Sequence, residues 1–179
     1  MPSAGEDPDM TRDQTVVAIG AGSGIATMLG SMALLTMLLP VPDAAFTPAG
    51  RLAYALRWDA LAAVPFFAMI VAVGNARFLG EAIDPTRGAE NAAIVVDGRV
   101  ADNSAQQLLL FLIGSLALVV GLPAERVQMV GAAAIVFFAA RILFWIGYRI
   151  HPLYRAFGFA ATAYLNLGLI GAALWFAAT

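Results

Sequence analysis

Two short stretches of this chain carry side chains able to bind and polarise a ligand. In "RVADNSAQQLLLF", Arg99 to Phe111, the residues Arg99, Asn103 and Gln106 fall at i, i+4 and i+7. A helix presents such positions on one face. In "ARILFWIGYRIHPLYRAFGF", Ala140 to Phe159, Arg141 and Tyr148 stand seven residues apart, again on one helical face, and Arg155 follows. The helical rise of about 1.5 Å per residue puts Arg141 roughly 10 Å below Tyr148. A guanidinium facing lipid at the bilayer centre costs a few kcal/mol, of which snorkelling recovers part. Inside a bundle it can pair with an acid, Asp102 or Glu81 being the nearest by position, or with a bound anion. Arg77 ends another apolar run and points to the same layer. Four guanidiniums, from Arg77, Arg99, Arg141 and Arg155, together with Asn103, Gln106 and Tyr148, suit a small ligand with several carboxylates. The competing reading is interfacial anchoring by the arginines plus one internal salt bridge.

The elements that position these groups must be membrane helices. The chain has 179 residues, 61% of them hydrophobic and 12% charged, against about 25% charged in an ordinary soluble domain. A spanning helix needs about 20 apolar residues. Charges and prolines mark five such segments. The first covers Val16 to Leu39, the second runs from Arg57 or Asp59 to Arg77, and the third from Arg99 to about Val120. The fourth covers Val127 to Tyr148, and the last runs from Arg155 to the C-terminus. Pro65 falls inside the second and is expected to kink it. Residues 79–98 form the longest polar loop. Residues 1–15, acidic and rich in Pro and Gly, read as a disordered leader. Runs this long and uniformly apolar lack the alternation of a membrane barrel, so the fold class is an all-α integral membrane bundle.

Ten arginines and no lysine set the orientation. Arg12, Arg77, Arg87, Arg99, Arg149 and Arg155 share one side, and Arg51, Arg57 and Arg126 the other. The positive-inside rule places the first side, with the N-terminus, in the cytoplasm. That fits a bacterial inner membrane or another membrane that takes multi-pass proteins. The absence of Cys excludes disulfides and thiolate chemistry of the chain itself, and a single His excludes a multi-His metal site. No metal ligand set is expected. No basic stripe suggests nucleic acid. "GAGSG", Gly20 to Gly24, looks like a nucleotide loop, but it lies inside an apolar span with no strand before it. It reads as a close-packing face, with Ala26 and Gly30 continuing it. His151, followed by Pro152, reads as a helix-end residue.

At these residues the sequence resembles the MAPEG superfamily, the membrane-associated proteins in eicosanoid and glutathione metabolism. The block from Arg99 resembles the arginine, asparagine and glutamate signature of the family's second helix. The block from Ala140 resembles the arginine, tyrosine and later arginine at the end of its third helix and the start of its fourth. The resemblance covers roughly residues 57–179. It implies a four-helix core, here with residues 16–40 as an additional N-terminal helix, closest to the five-helix, mattrin-like branch. It also implies a homotrimer that binds glutathione between subunits near the cytoplasmic face, as in microsomal glutathione transferases, leukotriene C synthase and prostaglandin E synthase.

Carried over by residue, Arg77 resembles a glutathione-carboxylate arginine, and Arg99 and Asn103 a backbone-binding pair. Arg141 and Tyr148 resemble further binding residues, and Arg155 the arginine that stabilises the thiolate. Gln106 stands at the family's glutamate position, and Phe144 at a tyrosine position. The implied function is a glutathione-dependent transferase or lipid-hydroperoxide peroxidase acting on a lipophilic electrophile. The alternatives are a non-catalytic protein of the same fold that binds a lipid or a protein partner, and a small transporter or channel subunit. The polar residues gather at one membrane face and not across its depth, which disfavours conduction.

Overall fold

A computed structural model describes residues 10–88 and 90–179. Residues 1–9 of the leader expected over residues 1–15 lie outside the described residues, and residues 12–15 at its end belong to the first helix, which the Thr11 cap starts earlier than expected. The described chain is helical, with no strand among these residues, and five of its helices are long and apolar enough to cross a membrane.

Helix α1 spans Arg12–Leu38. Thr11 starts it with a reciprocal cap: its hydroxyl accepts from the Gln14 amide at 3.3 Å, and the Gln14 side chain accepts from the Thr11 amide at 2.8 Å. Pro40 and Pro42 follow its end. Helix α2 spans Pro48–Phe78. It begins well before the expected start near Arg57, because Thr47 caps it and Pro48 occupies its first turn, where a missing amide costs nothing. Pro65 lies inside this continuous helix and is buried.

Helix α3 spans Ala92–Gly121, with the Asn91 side chain accepting from the Ile94 amide at 3.0 Å. It too starts ahead of the position that charge counting suggested. Asp97 and Arg99 had marked the membrane edge, but the helix runs back to its Asn91 cap, and the Asp97 carboxylate within it is paired with Arg149. Helix α4 spans Gln128–Ile150 and α5 spans Arg155–Ala178. Between them, His151 Nδ1 accepts from the Leu153 amide at 3.3 Å, the helix-end role expected for it.

In the bundle, α2 and α5 each pack against both α3 and α4, and α1 lies outside this group against α5 and, less closely, α4. Between membrane helices there is little hydrophobic drive, so association relies on close fit and polar contacts. The fit is visible at Gly158. A Cβ there would come within 2.5 Å of the Ala140 carbonyl oxygen and 2.6 Å of the Phe144 amide nitrogen. On α1, Gly24 is buried and a Cβ would overlap the carbonyl of Phe157. The "GAGSG" segment is thus a packing face, joined by Gly20 against Ala156. Ala26 and Gly30, expected to extend it, are exposed, so the tight contact ends short of them. The Phe111 and Phe137 rings, 4.6 Å apart, fill the middle of the bundle.

Candidate functional site

At the end of the bundle that carries the start of α1, a cavity of about 560 Å³ opens among α1, α3, α4 and α5. Arg99 and Asn103 of α3, Tyr148 of α4 and Arg155 at the first position of α5 form its polar part. Arg155 Nη1 donates to Tyr148 Oη at 2.9 Å, and its guanidinium carbon lies 5.0 Å from the centre of the Tyr148 ring. Tyr148 is itself set edge-on against Phe144, their centroids 5.9 Å apart. Among the described residues no Asp or Glu lines the cavity, and neither Arg99 nor Arg155 enters an ion pair. Among the described residues, the two guanidiniums of the cavity thus have no acidic partner. The N-terminus of α5 adds its own partial positive charge in the same place.

Arg141 stands behind this surface and not in it. It is only 1% exposed. No acid reaches it. Its Nη2 donates to Ser104 Oγ at 2.6 Å and to Asn103 Oδ1 at 3.1 Å, and its Nη1 donates to Thr162 Oγ1 at 3.3 Å. The guanidinium carbon lies 4.0 Å above the Phe144 ring. The expected acidic partners are elsewhere: Asp102 and Glu81 are both exposed. By binding the Asn103 carbonyl oxygen, Arg141 leaves the amide NH₂ of Asn103 for another acceptor. The same guanidinium braces Phe144, so two cavity-lining residues are held by one buried cation.

The remaining site candidates lie apart. Arg77 pairs with Glu90, Nη2 to Oε1 at 2.6 Å, and does not line the cavity. Gln106 is exposed on the outer face of α3 and does not line it either. Its neighbour Gln107 is buried, accepting from the Asn166 side chain through both its backbone carbonyl and its Oε1, each at 2.9 Å.

Sequence reasoning overlooked the ion pair of Asp97 with Arg149, whose Nε reaches Oδ1 at 2.8 Å. Trp145 Nε1 donates to the same oxygen at 2.8 Å. It also overlooked Thr162 and Asn166, uncharged polar residues in the apolar run of α5. Their signal was present, since a buried polar side chain in a membrane helix needs a partner.

A model of the MAPEG family matches residues 55–175. The chain belongs to the MAPEG family. Comparison with curated proteins and with solved structures finds no match. Family membership and five long apolar helices make this an integral membrane protein of the MAPEG helical-bundle class. The family match begins inside α2 and leaves α1 outside it, although α1 supplies part of the cavity wall through Val17 and Ala21.

Proposed function

We propose that this MAPEG protein is a glutathione-dependent membrane transferase or lipid-hydroperoxide peroxidase. The observation that carries the proposal is the pair of guanidiniums, Arg99 and Arg155, on a cavity that no carboxylate lines among the described residues. Glutathione brings two carboxylates and a thiol. Arg99 and the free amide of Asn103 would hold the carboxylate and peptide groups. Arg155, fixed by Tyr148, would sit beside the thiol.

A free thiol has a pKa of about 8.5, so most of it is protonated at neutral pH; an adjacent guanidinium favours the thiolate. The thiolate sulfur then attacks the electrophilic carbon of a lipophilic acceptor, forming a thioether and expelling the leaving group or opening a strained ring. With a hydroperoxide, the sulfur attacks the terminal oxygen and releases the alcohol. The resulting sulfenic acid meets a second glutathione to give the disulfide and water.

We further propose a homotrimer with its polar face toward the cytoplasm. Asp102 and Gln106 are exposed four residues apart on α3. Left against lipid they would be costly, and a neighbouring subunit on that face would cover them and complete the site between subunits. Glutathione titration into the purified protein tests the reading. Saturable binding, lost in Arg99→Ala and Arg155→Ala, supports it; no measurable binding to the wild-type chain overturns it.

A second reading draws on Gln106, which stands outside the cavity where the family has a glutamate: a non-catalytic member that binds a lipid or protein partner. Under that reading Gln106→Glu leaves ligand binding unchanged. A gain in glutathione affinity from this one change would argue for the first.

A further inference from the structure

We propose that α1 forms the lipid-side wall of the cavity and, through Val17 and Ala21, sets how large an apolar group the bound ligand can carry. This rests on the reading of the polar end as a glutathione site, and it assigns a role to a helix that lies outside the family-matched segment.

The argument begins with how α1 is seated. Val17, Ala21, Gly24 and Met28 fall at i, i+4, i+7 and i+11, one stripe along the helix. Gly24 and Met28 are the buried residues of α1. Gly24 lets the helix rest on the α5 backbone at Phe157, and Gly20 meets the Ala156 side chain, with a Cβ there 3.3 Å away. That close seat fixes the turn before it, so Val17 and Ala21 line the cavity. Across from them stand Phe159, Ala160 and Tyr164 of α5. The cavity is therefore charged at Arg99 and Arg155 and apolar along α1 and α5.

A ligand that fills it has an anionic polar part and a hydrocarbon or aromatic part. The volume of about 560 Å³ falls within the range of small-molecule sites. The small side chain at Ala21 leaves the width that such a group needs. A larger residue there would fill the apolar half and leave the guanidiniums untouched.

The test uses the full chain in lipid nanodiscs and measures affinity for glutathione, S-methylglutathione, S-hexylglutathione, S-decylglutathione and decanoate. The variants are Ala21→Trp, the milder Val17→Phe, and Gly22→Trp, which projects into open space on α1. In the wild type, affinity is expected to rise by at least about tenfold from the methyl to the decyl conjugate as apolar surface is buried. Ala21→Trp should remove most of that gain and Val17→Phe part of it, read as the decyl-to-methyl affinity ratio within each variant, while Gly22→Trp behaves as wild type.

A decyl preference that survives both cavity substitutions, or that Gly22→Trp abolishes equally, overturns the proposal. Should no glutathione compound bind the wild type while decanoate binds and is lost in Ala21→Trp, the glutathione reading falls and the wall stands. Failure of decanoate as well overturns both.

Discussion

Arg155 and Arg141 show how position decides what a guanidinium can do. Arg155 is exposed, begins a helix and holds Tyr148, so its charge is available to a ligand. Arg141 spends both terminal nitrogens on Asn103, Ser104 and Thr162, so it organises the site from behind. Replacing Arg155 with Ala should move the pH profile of glutathione conjugation upward. On the proposed function the guanidinium lowers the thiol pKa, so its loss would mean that the thiolate forms only at higher pH; rate against pH, with thiolate absorbance on the same samples, checks this. Arg155→Lys should restore less than the full effect, since an ammonium lacks the planar fork that can engage tyrosine and ligand together. Arg141→Met should act differently. It frees Asn103 and Phe144, leaves Ser104 and Thr162 only their bonds to backbone carbonyls and lowers affinity, without a comparable shift in the pH profile. The residues of the cavity could be nominated from spacing, but their division into exposed and buried guanidiniums depends on which neighbours each one meets.

At the scale of elements, the joins between helices are specific backbone approaches. Gly158 lets α5 lie against the α4 backbone at Ala140 and Phe144. Gly158→Ala should destabilise the protein by about 1–3 kcal/mol, the usual cost of overpacking a fitted contact. It should also weaken ligand binding, because Phe144 lines the cavity. Thermal unfolding in detergent and glutathione titration on one sample test both. The Asp97 carboxylate, buried and bonded to Arg149 and Trp145, joins α3 to α4 near the cavity. Asp97→Leu would strand the Trp145 indole NH, a loss of about 1–3 kcal/mol for an unsatisfied buried group, measurable as a lowered melting temperature. The extents of α2 and α3 were underestimated from charges alone. A charge in a membrane helix ends the apolar run, but the helix continues to a cap that lies farther out, at Thr47 for α2 and Asn91 for α3.

For the whole molecule, membrane insertion follows from five helices too apolar for water, and most large apolar side chains on their outer faces need no protein partner. The outer face of α3 differs, since it shows Asp102 and Gln106. If a second copy covers that face, Gln106→Trp should reduce the oligomer to a lower mass. Mass measurement of the purified protein in nanodiscs decides between a trimer and a smaller species. The same substitution should weaken glutathione binding only if the site is shared between subunits.

Some of this was fixed by residue types taken singly. Long uncharged runs can satisfy their backbone groups in a bilayer only as helices, so the number of spans and the all-α class follow from composition and punctuation. The spacing of Arg99 and Asn103 on α3, and of Arg141 and Tyr148 on α4, was also legible, because helical periodicity relates residues within one segment. Only the tertiary structure decided which segments meet. It drew Arg77 to Glu90 and Asp97 to Arg149, placed Arg141 behind the cavity, and brought α1 against α5 through Gly24. The physical reason is that periodicity orients a side chain about its own helix axis, while the partner it finds depends on packing between helices distant in sequence.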